Sequence, residues 1–176
     1  MSTEGPAQKR ALLVEGRIDA AVRDLILPAP TALFVNLRAY LQQRAERGAP
    51  QSLQDKIRLR RENGAAAITL GPSIDKGETE QHFLFASGAR LSFSLSLREE
   101  TAGSRLIAYR YHLHLGSKAP FESLRFDLNK EQKANPLREP RCHIHLGTAD
   151  VRVPGIVLDP FELLDRLFFV VEPGFR

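Results

Sequence analysis

Between Leu91 and Leu146 four stretches alternate apolar and polar residues one by one, and this period of two constrains the fold more than any other feature. In Leu91 to Leu97, leucine and phenylalanine face one way while Ser92, Ser94 and Ser96 face the other. From Arg105 to Leu115, Ile107, Tyr109, Tyr111, Leu113 and Leu115 stand opposite Ala108, Arg110, His112 and His114. Leu124, Phe126 and Leu128 oppose Arg125, Asp127 and Asn129, and Cys142, Ile144 and Leu146 oppose His143 and His145. Successive residues of a strand point to opposite sides, so each stretch buries one side and leaves the other polar. Strands linked by turns usually pair with their neighbours, which predicts an antiparallel meander. Its polar sides then merge into one open face carrying the serines, arginines, Asp127, Asn129 and four histidines. Ala67 to Leu70 and His82 to Ala86 are shorter strand candidates.

The flanks read as helices. Leu12 to Leu27 is partly helical in period and closes at Pro28-Ala29-Pro30, with residues 1–10 expected to fray. A second helix is predicted from Thr31 to the glycine stop at Gly48. Ser52-Leu-Gln-Asp55 resembles a capping box and predicts a short basic helix ending near Asn63-Gly64, so that residues 11–63 form a basic helical part. Asp159-Pro160-Phe161-Glu162 supplies an N-cap, a proline at the first helical position and an early acid, predicting a helix over 159–172. The reading is therefore a single α+β domain over residues 1–176. An antiparallel β-sheet meander spans 65–147, with the N-terminal helices and the C-terminal helix packed on one face. A chain of 176 residues buries enough surface to need no staple.

Charge narrows the functions. The net charge is +4, and the stretch from Asn36 to Glu62 accounts for all of it, with seven cations against three acids. One reading is a basic helical face, including Arg58, Arg60 and Arg61, for a phosphate backbone or an acidic partner. The other is the solvated side of amphipathic helices. No apolar run approaches the ~20 residues of a membrane span. The first residues lack a signal pattern, and the single cysteine, Cys142, fits a reducing cytoplasm. Cys142 is expected to point into the core, and His82 to be structural.

Four of the five histidines fall in matching pieces, His112-Leu-His114-Leu-Gly116 and His143-Ile-His145-Leu-Gly147. Each piece presents two imidazoles to one side, and three readings compete. In metal-free acid/base cleavage of RNA, His112, His114, His143 and His145 transfer protons, Arg110 and Arg125 steady the phosphate charge, and Asp127 orients a ring. Alternatively the same four histidines, or one pair with Asp127, hold Zn or another divalent metal. The third reading is structural, with the rings as cross-strand residues on a solvated sheet.

The order Tyr109-x-Tyr111, Arg125-Phe126-Asp127-x-Asn129, His143-x-His145-x-Gly147 and a following apolar helix (Leu163, Leu164) resembles the small TumE-like toxins of bacterial toxin–antitoxin modules. The likeness covers Arg105 to Phe168, and Leu128 splits the Asp and Asn that the family holds together. It implies a toxin-like protein acting on RNA and held by an antitoxin. The leading expectation is thus a cytoplasmic, nucleic-acid-directed protein, a metal-independent ribonuclease without cofactor. The alternatives are a non-enzymatic interaction subunit of a defence or toxin–antitoxin complex and a His-x-His metal enzyme. None of the three involves a membrane.

Overall fold

A computed structural model describes residues 6–47, 53, 56–71, 82–116, 119–131, 140–147 and 151–171. Three helices, α1 (Pro6–Asp24), α2 (Pro30–Arg47) and α3 (Pro160–Val171), accompany nine strands. These are β1 (Ile26–Leu27), β2 (Ile57–Glu62), β3 (Ala65–Leu70), β4 (Phe83–Leu84), β5 (Arg90–Glu100), β6 (Gly103–His114), β7 (Ser123–Leu128), β8 (Cys142–Leu146) and β9 (Arg152–Pro154). All pairings are antiparallel, in the order β2-β3-β5-β6-β7-β8-β9, with β4 on β5 and β1 on β6. The α+β meander is the predicted architecture.

The apolar sides form one core with all three helices. Ile18 and Val22 of α1, Leu33, Leu37 and Leu41 of α2, and Leu163, Leu164, Leu167 and Phe168 of α3 meet the apolar residues of β2 to β8. Tyr111 is fully buried, stacked on Phe93 at 5.1 Å between ring centres, and its hydroxyl donates to the Pro160 carbonyl at 3.4 Å. Each such leucine contributes about 1.5–3 kcal/mol by leaving water. The α3 start is as read from sequence: Asp159 Oδ1 accepts from the Phe161 amide at 2.8 Å. From α2, Tyr40 donates to Asp165 of α3 at 2.5 Å and Arg44 pairs with the same carboxylate at 2.8 Å.

Two expectations are corrected. The basic helix predicted to end near Asn63 is strand β2, hairpinned onto β3 with Glu62 opposite Ala65. Asn63 (φ 49°) and Gly64 (φ 75°) form its two-residue turn. Both central residues of such a turn need positive φ, which Asn-Gly supplies, and Ile57-Arg-Leu-Arg-Arg alternates as a strand does. The predicted capping residues Ser52 and Asp55 lie outside the described residues. The first helix ends at Asp24, not Leu27, because Ile26 and Leu27 pair with Arg105 and Ser104 of β6. It also includes residues 6–10, while residues 1–5 of the segment expected to fray are outside the described set.

Candidate functional site

The ladders fix which polar residues share a row across the sheet. One row runs Arg58, Thr69, Ser94, Arg110, Asp127, His143, Pro154. The next runs Ser92, His112, Arg125, His145, Arg152, followed by Arg90, His114, Ser123. All four paired histidines therefore lie on one face, as predicted, with five arginines and a single carboxylate in these three rows. Arg60 lies one row beyond Arg58, with Ala67, Ser96 and Ala108 as its neighbours across the strands. Arg61 alternates to the other side and pairs with Glu99 at 3.1 Å. The three predicted arginines are thus split by the strand, two on the polar face and one away from it.

The four imidazoles do not form one cluster. β7 separates β6 from β8, so the two pairs sit two strand spacings, about 10 Å, apart. Their surroundings differ, since only one pair adjoins the buried Asp127 carboxylate. His112 and His114, with ring centres 4.0 Å apart, are flanked by Arg125, Arg110, Arg90 and His82. Burial first, then His114, Arg125 and Arg110, push the His112 imidazole down to about 3. Burial first and then Arg90 lower that of His114. His112 Nδ1 has no hydrogen-bond partner among the described residues. Both shifts favour the uncharged ring.

The other pair converges on Asp127. His143 Nε2 lies 3.0 Å from His145 Nε2, and Asp127 Oδ2 lies 3.2 Å from His145 Nε2 and 3.6 Å from His143 Nε2. Arg125 donates from Nε to Asp127 Oδ2 at 2.9 Å and from Nη2 to His145 Nε2 at 2.6 Å. Arg110 Nε reaches Asp127 Oδ1 at 3.3 Å. His143 Nδ1 bonds to the Pro140 carbonyl at 2.6 Å. Because that carbonyl only accepts, Nδ1 carries a proton and Nε2 is the ring atom turned to the cluster. Among the described residues His143, His145 and Asp127 are the group able to hold a metal together, and His112 and His114 belong to no such group.

The site is less open than the alternation implied. The side chains of His143, His145 and Asp127 are 0%, 5% and 4% exposed, while Arg110 is 48% exposed and Arg125 24%. The cations face solvent and the acceptors lie beneath them.

Sequence reasoning missed the anchor at Arg141, buried beside the cluster strand. Its guanidinium pairs with Asp19 of α1 and donates from Nε to the Asn129 carbonyl at 3.0 Å, and its amide donates to Glu15 at 2.9 Å. These bonds tie the segment before His143 to β7 and α1. A buried arginine within a basic turn carries no signal distinguishing it from its solvated neighbours. At this end of the sheet lies a trough of about 1400 Å³, lined by Arg60, Arg98, Arg105 and Lys130 together with Glu62 and Ala67. Cys142 points into the core as predicted, its Sγ 3.6 Å from the Tyr109 hydroxyl, and burial pushes its thiol up to about 11. Asn129 follows the end of β7, and its amide donates to the Arg141 carbonyl.

Compared with known protein families, curated proteins and solved structures, the chain matches none of them. No helix among the described residues is long and apolar enough to cross a membrane.

Proposed function

We propose that this protein binds nucleic acid along the arginine-bearing face of its sheet and cleaves the phosphodiester backbone beside the Asp127–His143–His145 cluster, as a toxin-like ribonuclease of the cytoplasm. The observation that carries this reading is the row structure. Arg58, Arg110 and Arg152 are exposed, Arg125 and Arg90 half-buried, and one buried carboxylate opposes them. Between the outer and central arginines the rows hold only Ala67, Thr69, Ser94, Ser96 and Ala108, leaving a low floor on which a backbone can lie. The trough at the sheet end extends the positive surface, with seven cationic lining residues against four acidic ones. Phosphate contacts of this kind supply sequence-independent affinity. Arg110, bound to Asp127 through Nε alone and half in solvent, is placed to meet a phosphate directly over the cluster.

A second reading, the non-enzymatic subunit of a toxin–antitoxin or defence complex, is favoured by a different observation. A groove between α3 and the β8–β9 end is lined by Phe126, Ile144, Ile156, Phe168 and Phe169, with Ile156 66% and Phe169 55% exposed. Such an apolar strip suits an antitoxin segment.

The test is anisotropy of labelled single-stranded RNA, single-stranded DNA and duplex DNA at several salt concentrations, followed by a cleavage assay. Arg58→Glu with Arg60→Glu is expected to weaken binding at least tenfold and lower the salt slope by about 1.4, two single-strand phosphates' worth. Arg166→Glu, on α3 and away from these rows and the trough, is expected to bind as the parent does. His145→Ala is expected to abolish cleavage and spare binding. A parent protein that binds none of the three probes refutes the nucleic-acid reading. Binding without cleavage leaves the second reading.

A further inference from the structure

We propose that Asp127, His143 and His145 form a binding site for one divalent transition-metal ion of the Zn2+ class. The inference concerns the cluster of the proposed function but stands on its geometry alone, not on the nature of the substrate.

Three acceptor atoms face each other in a buried space. The Pro140 carbonyl fixes the proton of His143 on Nδ1, and the Arg125 guanidinium, which only donates, leaves the lone pair of His145 on Nε2. The two Nε2 atoms stand 3.0 Å apart with the Asp127 carboxylate beside both. Arg125 is the cation that His145 and Asp127 hold in this structure; at the third acceptor, His143 Nε2, the place is taken either by a proton or by a metal that all three share. The shape fits a metal. A triangle with edges of 3.0, 3.2 and 3.6 Å has a circumradius of about 1.9 Å. A point about 2.1 Å from all three atoms, the usual zinc–nitrogen and zinc–oxygen distance, therefore lies about 0.9 Å off their plane. Tetrahedral and octahedral ligand sets place neighbouring donors about 3.0–3.4 Å apart, which brackets two of the edges and falls just short of the third.

The surroundings supply what metal ligands need. His143 donates its other ring nitrogen to a carbonyl, the second contact that orients a ligating imidazole. Asp127 retains Arg110 on Oδ1 and Arg125 Nε on Oδ2. Two imidazoles and one carboxylate are the borderline donor set of Zn2+, Co2+ and Fe2+. With three protein ligands the coordination sphere keeps a place for water or substrate, the pattern of reactive rather than structural sites. Arg125 is the competitor, since His145 Nε2 has one lone pair and gives it either to the guanidinium or to the ion. Metal binding thus releases Arg125 Nη2 toward the arginine-bearing face while its Nε holds Asp127.

The experiment uses the full chain, stripped with chelator and titrated with Zn2+ by calorimetry, and with Co2+ for its visible spectrum, without nucleic acid. One ion per chain is expected. His145→Ala is expected to weaken binding at least 100-fold, and Arg125→Ala to tighten it about tenfold by removing the competing donor. His112→Ala and His114→Ala are expected to bind as the parent does. Circular dichroism of the stripped proteins confirms that each variant folds. Equal uptake by the parent and His145→Ala places the ion elsewhere and overturns the proposal. So does the absence of uptake by a folded parent and a folded Arg125→Ala, which leaves a proton as the cation at His143 Nε2. Uptake in a protein that ignores all nucleic acids retains the metal site and removes the nuclease reading, and the reverse result does the opposite.

Discussion

Removing the Asp127 carboxylate separates the strong contact of the cluster from the weak one. Asp127 is 4% exposed and accepts from two arginines of unequal burial. The bond from Arg125, at 2.9 Å from a guanidinium 24% exposed, belongs to the charge-assisted class worth about 1.5–3 kcal/mol. The bond from Arg110, at 3.3 Å and 48% exposed, belongs with surface pairs worth up to about 1 kcal/mol. Asp127→Ala is therefore expected to cost about 3 kcal/mol, which in a chain of this size lowers Tm by roughly 6–12 °C. Double-mutant cycles with Arg125→Ala and Arg110→Ala, read by urea unfolding in chelator, divide that cost. Coupling of about 2 kcal/mol is expected for Arg125 and less than about 1 for Arg110, the latter shrinking further in 1 M salt, where screening acts on the exposed partner. A coupling to Arg125 below about 0.5 kcal/mol, or one smaller than the coupling to Arg110, refutes the ordering of the two contacts by burial.

Four other outcomes follow. The His112 imidazole lies at about 3 in the folded state, below the usual 6.5, so only the unfolded state takes up its proton between those values and native stability falls as pH drops below about 6.5. His112→Leu is expected to shrink the loss of unfolding free energy between pH 7 and pH 5 by at most about 2 kcal/mol, measured by urea titration at both pH values. Gly103→Ala places a Cβ against the Leu27 carbonyl oxygen, at 2.3 Å and φ +147°, and is expected to cost more than about 3 kcal/mol, whereas Gly64→Ala at φ +75° meets nothing and is expected to cost about 1. Thermal melts of the two variants rank them. Asp159→Ala removes the acceptor for the Phe161 amide and is expected to cost about 1 kcal/mol by denaturant titration, with Asp159→Ser recovering most of it. The Cys142 thiol, buried and raised to about 11, is expected to react with a thiol reagent only as fast as the protein opens, and fully on addition of denaturant.

The strands that carry the site are legible because their alternation holds except at a bulge in β6, where Leu106 takes the buried place that the pattern gives to Ile107. Each residue from Leu91 to Leu97, and from Ala108 to Leu113, takes the side that the pattern assigned to it. The start of α3 was legible for a local reason, a side-chain cap followed by a proline that needs no hydrogen bond. β2 is hidden because Arg, Leu and Glu are good helix formers, and an Asn-Gly pair reads equally as the end of a helix and as the middle of a hairpin, which Asn63-Gly64 is. Propensity in a short segment yields to pairing with a neighbouring strand. That one substitution of strand for helix moves Arg58 and Arg60 from a separate basic surface onto the face that holds the histidines.

Alternation fixes the face but leaves the register free. Sliding β8 along β7 by two residues preserves every inward and outward side chain, so no pattern in the sequence says whether Asp127 meets His143 or a residue two places away. Nor does it say which of two near-identical His-x-His pieces receives the carboxylate. The answer comes from bonds outside the strands. Arg141 holds the Asn129 carbonyl and α1, the Asn129 amide returns to the Arg141 carbonyl, and Pro140 grips His143 Nδ1. At the other end Ser123 bonds to the Gly147 carbonyl at 2.9 Å. Clamped at both ends, β7 and β8 have one register, and it sets Asp127 opposite His143 and diagonal to His145. The pair on β6 stands across from Arg125 and Ser123, and burial first, then the neighbouring cations, favours its uncharged form. Two pieces alike in sequence thus differ in whether a carboxylate stands directly across the strand.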